Sequence, residues 1–165
     1  RMDTTQALTA RDVVNTYKED RLADVLYTYG ELHNSRQLAR SIVQHRPFVT
    51  TNELASIIHG THKQRMRLRA QVFQALRIEV NDELGQLKRS LSLWHQLLKP
   101  GGRLGVITFH SLEDRIVKQY FKEHGAGTLD SAFITLTKKP VIGTESEIVF
   151  NPRARSAKLR AAVKK

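Results

Sequence analysis

Lys99-Pro100-Gly101-Gly102-Arg103-Leu104-Gly105-Val106-Ile107-Thr108-Phe109-His110-Ser111-Leu112-Glu113-Asp114-Arg115 is the stretch whose reading decides the fold. Proline and paired glycines terminate a preceding helix. Arg103 to Phe109 is an apolar run of strand length, and His110-Ser111 stands at its carboxyl end. Leu112 to about His124 then reads as a helix that Gly125 stops. Helix, glycine turn, apolar strand, polar turn, helix is the order of a parallel α/β sheet.

Upstream of this stretch, Phe73, Leu76, Val80, Leu84, Leu87, Leu91, Trp94 and Leu98 keep a 3-4-4-3-4-3-4 spacing. That spacing predicts one amphipathic helix from Ala70 onward, about 40 Å long at 1.5 Å per residue. Between Thr9 and about His59 the pattern breaks into short helices. Thr9 with Asp12 resembles an N-cap with an acid in the first turn, Gly30 ends a second helix, and a third stops before Arg46-Pro47. Thr50-Thr51-Asn52-Glu53 is a capping box. Residues 1–69 therefore read as an all-helical subdomain and residues 70–165 as an α/β part. Near the end, Phe133 to Lys139 and Ala157 to Lys164 read as strands joined through a polar turn at Asn151 to Ser156. The second alternates apolar with basic residues, as a half-buried strand does. Two closing strands suggest an antiparallel edge on an otherwise parallel sheet.

The composition sets the partner class. The 165 residues hold 27 Lys+Arg against 16 Asp+Glu, a net charge of +11, and no cysteine. Disulfide scaffolds, thiolate metal sites, iron–sulfur clusters and cysteine nucleophiles are thereby excluded. No apolar run approaches the ~18–20 residues of a membrane span, so a cytoplasmic protein without a membrane partner is expected. Arg1-Met2-Asp3 is not a translation start, and part of the polypeptide is expected upstream. His59 and His62 have His-x-x-His spacing, but no carboxylate or thiol follows closely, so no metal site is expected.

Three groups of residues could carry chemistry. His110 and Ser111 lie outside the carboxyl end of a strand, where ligands of open α/β sheets bind. His110 could orient a nucleobase or move a proton; Ser111 with Asp114 equally fits an ordinary helix cap. Arg77 and Asn81, four apart, share a helix face and could grip phosphate and read a base, or form a network tying the helix down. Lys63, Arg65, Arg67 and Arg69 form one basic cluster, and Arg153, Arg155, Lys158, Arg160, Lys164 and Lys165 another. Such clusters suit polyphosphate backbones, although charge runs also serve as solvated surface.

Five ordered segments carry a resemblance: Phe73 to Leu84, Leu98 to Leu104, Phe109 to Lys118, Leu136 to Pro140, and Asn151 to Arg160. Together they resemble the MraW family of ribosomal RNA methyltransferases, with Arg1-Met2-Asp3 similar to the tail of its Asp-Met-Arg-Met-Asp motif. The resemblance implies the C-terminal part of a Rossmann-like (class I) methyltransferase sheet plus an inserted helical subdomain for substrate recognition. It implies S-adenosylmethionine-dependent N4-methylation of a cytidine in 16S rRNA of the small ribosomal subunit, and leaves a homodimer open. His110 and Ser111 would edge the target-base pocket. Arg77 and Asn81 would support it or grip RNA, and Arg153, Arg155 and Lys158 would anchor phosphate. The family's Gly-rich loop, acidic ribose contact and Asp-Leu-Gly-Val-Ser-Ser segment do not occur here, so the cofactor site is expected upstream. His62 to Gln71 also departs from the Lys-His-Pro-Ala-Thr-Arg stretch of many members, although Lys63, Arg65, Arg67 and Arg69 could still contact phosphate. The alternative is a non-catalytic basic RNA- or ribosome-binding module with a relict methyltransferase fold.

Overall fold

The computed structural model describes residues 1–125 and 131–165. The chain forms two compact units, Arg1–Glu83 and Leu84–Lys165.

The first unit is helical. Its elements are α1 (Ala10–Thr16), α2 (Glu19–Gly30), α3 (Ser35–Gln44), α4 (Thr51–Ser56) and α5 (His62–Asn81). Thr9 with Asp12 and Thr50 with Glu53 form the expected capping boxes, and Thr61 with Gln64 forms a third that starts α5. The core gathers Val13, Leu22, Leu26, Ala39 and Ile42 around Val72, Ala75, Leu76 and Val80 of α5. Because these α5 residues belong to the helical core, the first unit reaches Glu83, beyond residue 69 where the composition changes. Gly30 is the last residue of α2, and the left-handed residue after it is Glu31 (φ 51°). Glycine at position 30 eases a close approach: a Cβ there would stand 3.1 Å from the Gln71 carbonyl oxygen. Gln71 and Gln74 of α5 donate to the carbonyls of Gly30 and Tyr29, filling acceptors that a helix end leaves open.

The single helix expected from Ala70 to Leu98 is two helices. Asp82 adopts the left-handed conformation (φ 48°, ψ 40°) after α5, and α6 runs from Glu83 to Leu97. The apolar spacing continues across the break because a one-residue interruption barely disturbs a count in threes and fours. Aspartate is among the few residues that tolerate that backbone region.

The second unit holds α6, β1 (Arg103–Thr108), α7 (Ser111–Glu123), β2 (Phe133–Thr135), β3 (Val141–Ile142), α8 (Glu145–Phe150), a 3-10 turn at Pro152–Ser156, and β4 (Lys158–Lys164). Among the described residues every strand pairing is antiparallel and runs through β4. β1 lies on one edge of β4, in register from Arg103 opposite Val163 to Thr108 opposite Lys158. β2 and β3 share its other edge. The parallel sheet expected from β1 and α7 is absent from the described residues: β1–α7 leads to β2, which pairs with β4 and not with β1, and β3–α8 leads to β4, which pairs with β3 antiparallel. The closing strands are antiparallel, as expected. The core comprises Leu91, Val106, Val117, Phe121, Phe133 and Ala162.

The alternation of β4 is inverted relative to expectation. Arg160 (7% exposed) and Ala162 are buried, while Leu159, Ala161 and Val163 are half-buried. The cause lies in α7, where Asp114 meets the Arg160 guanidinium with both oxygens, at 2.6 and 3.1 Å. A buried cation with a bidentate carboxylate partner is tolerated where an unpaired one is not.

Candidate nucleic-acid interface

The first unit contains a pocket of about 250 Å³. One wall is a single face of α5: Phe73, Leu76, Arg77, Val80 and Asn81 recur at helical spacing. Ala10, Arg11 and Val14 of α1 face it, and Phe48 to Thr51 with Leu54 close a side. Asn15 fixes Phe48 in place: its amide donates to the Phe48 carbonyl (2.9 Å) and accepts the Phe48 N–H (2.8 Å). Arg46 donates to the carbonyls of Val14 and Tyr17 at the end of α1, holding the same loop. An apolar floor with two phenylalanine rings and a rim of guanidinium groups suits a planar aromatic ligand bearing negative charge.

Arg77 and Asn81 come together here, as their spacing predicts, and both make internal bonds. Arg77 holds Glu83 through two bonds of 2.8 and 3.0 Å. Asn81 accepts the Met2 N–H (2.8 Å) and donates to the Arg77 carbonyl (2.9 Å). Gln6 also donates to the Val80 carbonyl, so the opening residues pack against the end of α5. Glu83 thus occupies two of the five N–H donors of Arg77 and offsets its charge. Arg11 and Phe48, which sequence reasoning missed, complete the pocket; the tertiary contact of Asn15 with Phe48 leaves no periodic signal.

The first basic cluster lies along the amino-terminal half of α5. Lys63, Arg65 and Arg67 are exposed and form no ion pair among the described residues, while half-buried Arg69 donates to the Ala55 carbonyl (3.1 Å) and ties α5 to α4. No acidic residue stands in the first turn of α5. The second cluster divides. Arg153 and Arg155 are exposed on the 3-10 turn. Lys158 lies 3.7 Å from Asp114, and Lys164 donates to the carbonyls of His95 and Leu98 at the end of α6.

His110, not Ser111, caps α7. Its Nδ1 accepts the Glu113 N–H (3.3 Å), while the Glu113 carboxylate accepts the N–H groups of Phe109 (2.7 Å) and His110 (3.3 Å). Ser111 is the exposed first residue of the helix. Committing the Nδ1 lone pair to the cap places the ring proton on Nε2, which lies 3.4 Å from Glu113 Oε1. In this state the one remaining ring donor is Nε2–H, and Nε2 is buried. Next in the turn, Asp114 has its carboxyl held below the usual carboxylate range, chiefly by the hydrogen bond from Arg160.

The geometry defines a class: a mixed α/β protein whose helical unit presents unpaired cations and an aromatic-lined pocket. A model of the MraW methylase family matches residues 1–165, and the chain belongs to that family. Three proteins called ribosomal RNA small subunit methyltransferase H are similar to it. That of Rippkaea orientalis is 51% identical over 168 residues, covering 98% of this chain and 53% of that protein. That of Trichormus variabilis is 50% identical, covering 100% and 54%. That of Bacteroides fragilis is 48% identical, covering 100% and 59%. The chain thus spans about half the length of the curated relatives it matches. No helix among the described residues is long and apolar enough to cross a membrane.

Proposed function

We infer that this chain is the RNA-recognising helical unit and part of the α/β domain of a methyltransferase that methylates N4 of a cytidine in 16S rRNA, with S-adenosylmethionine as donor. The observation that carries the reading is the family match across the whole chain, with relatives named as small-subunit ribosomal RNA methyltransferases at about half identity. The unpaired cations of α5 and the exposed Arg153 and Arg155 support an RNA partner.

The residues described here do not fit the methyl donor. Two strands among them lead directly into helices: the turn after β1 has no glycine to admit a ligand against the backbone, and Gly143 in the turn after β3 is already approached by Glu147 and Ala154. The N–H groups of Phe109 and His110 beside the α7 terminus are already taken by Glu113. No step through the donor is therefore derived. Our reading gives these residues positioning work. The His110–Glu113 box and the Asp114–Arg160 pair fix the turn that carries Ser111 at the edge of the target-base site. The exposed apolar face of Ile107, Ile134 and Val141 is a surface for the rest of a Rossmann-like sheet to cover.

Deleting the gene that encodes this sequence in its own cell, then mapping modified nucleotides in 16S rRNA, tests the assignment. Loss of an N4-methylcytidine, restored by the intact gene, is expected; an unchanged map overturns it. Calorimetry of the 165-residue chain with S-adenosylmethionine is expected to give no heat of binding, and measurable binding overturns the placement of the donor site outside it. Salt-sensitive RNA binding by a chain whose deletion leaves the map unchanged favours the second reading, a non-catalytic RNA- or ribosome-binding module.

A further inference from the structure

Three hollows of about 160, 430 and 550 Å³ indent the surface of the first unit away from the pocket described above, and Asn34 lines all three. Leu68 of α5 joins the first to the second, and His33 joins the second to the third, so together they form a branched groove around the α2–α3 turn. Gln64 and Gln71 in its lining are bonded within the fold, while several other polar groups are uncommitted. Asn34 is the N-cap of α3, yet its side chain makes no capping bond. Gln37 lies one turn later on the same helix face and forms no hydrogen bond among the described residues. Arg36 and Arg67 are exposed, and neither has an ion-pair partner among the described residues. Tyr27, on α2, lines the largest of the three hollows and is 58% exposed.

We propose that this groove binds single-stranded RNA, with a base stacked on Tyr27, base edges bonded to the amides of Asn34 and Gln37, and phosphates on Arg36 and Arg67. The proposal rests on the RNA reading given above and adds a surface to it. An exposed aromatic beside unpaired cations is how proteins hold unpaired strands, since every base offers a π-face and every linkage a charge. Side-chain amides offer a donor and an acceptor together, which suits the edge of an unpaired base. Asp24 lines the same hollow as Arg36 and Glu31 the same hollow as Arg67, and these carboxylates confine phosphate to the two guanidinium groups. Arg40 is not part of the surface, because it pairs with Glu19 at 3.3 Å.

The test is fluorescence anisotropy of the 165-residue chain with a short labelled single strand and with a labelled duplex of the same sequence. Tyr27→Ala is expected to weaken single-strand binding about tenfold, Tyr27→Phe to retain it, and neither to change duplex binding. Arg36→Ala with Arg67→Ala is expected to make the dependence of log affinity on log salt shallower by about 1.4, about 0.7 for each lost phosphate contact. Circular dichroism on each variant verifies that the helices remain. Single-strand affinity unchanged in both sets overturns the groove. If affinity then falls on replacing Arg153 and Arg155, the RNA reading survives with its surface on the 3-10 turn. Absence of binding by the unaltered chain removes the groove together with the premise that this chain recognises RNA.

Discussion

The two units use the same residue types in opposite ways. In the helical unit, Lys63, Arg65 and Arg67 stand in solvent without a carboxylate partner, on a helix whose first turn has no acid. In the sheet unit, Arg160 is buried against Asp114, Lys158 reaches the same carboxylate, and Lys164 closes the carbonyl end of α6. A run of basic residues in a sequence is thus two different objects. On the α5 helix it is available charge. On the β4 strand most of it is internal structure, and Arg153 and Arg155 before it and Lys165 after it remain exposed.

The sharpest way to break this contrast is to remove one member of the buried pair. Asp114→Ala leaves Arg160 buried without its carboxylate, which is expected to cost about 3–5 kcal/mol of stability in the sheet unit. Arg65→Ala is expected to stay within about 0.5 kcal/mol, because nothing in the fold depends on it. Trp94, the only tryptophan, lies in α6 and reports the sheet unit in a urea titration. Equal midpoints for the two variants would falsify the division. pH sharpens the same comparison. The Asp114 carboxyl titrates below its ordinary value when folded, so its contribution is fully present above the unfolded value of about 3.9. It is lost as pH falls from there through the lower folded value. Trp94-monitored stability should therefore decline over that acid window in the unaltered chain, and the decline should be smaller in Asp114→Asn.

A smaller effect separates Lys164 from the exposed lysines. Lys164→Met removes two charge-assisted bonds at the end of α6, and about 1.5–3 kcal/mol is expected for such a group. Lys63→Met is expected to leave the urea midpoint unchanged. If the two substitutions act alike, Lys164 is surface charge and the capping role is wrong.

These contrasts explain what could be read in advance. The caps of α1 and α4, the turn at Gly101, and the extents of α7 and β4 were legible, since each depends on residues within a few positions of one another. The break at Asp82 was not, because one left-handed residue leaves the apolar spacing nearly intact. The start of α5 at His62 could have been found: Thr61 with Gln64 is a capping box in plain sequence. The inward face of β4 was beyond reach, since burying Arg160 depends on a carboxylate 46 residues earlier. The same limit applied to the site. Arg77 and Asn81 were placed on one face by spacing alone, but Glu83 meets Arg77 only because the helix breaks at Asp82, and Met2 reaches Asn81 from 79 residues away. His110 as a helix cap defeats residue statistics, because Ser111 is the commoner capping type.

The smallest expected effect compares the two helix starts directly. The first turn of α7 contains Glu113 and Asp114, whose negative charge opposes the positive end of the helix dipole. The first turn of α5 has no acid and is followed by four cations within eight residues of its start. Its capping box satisfies two N–H groups there: Thr61 accepts the Gln64 N–H at 3.4 Å, and Gln64 accepts the Thr61 N–H at 3.0 Å. Thr61→Ala is therefore expected to cost about 1 kcal/mol, confined to the start of α5. Amide hydrogen exchange should show it as faster exchange at Gln64 and Arg65 with α2 and α3 unchanged. Added salt should recover part of the loss by screening the cations from the dipole. If exchange at the start of α5 is already as slow as at the start of α7, and salt does not alter it, the cations there have partners and the contrast between the two units fails at its base.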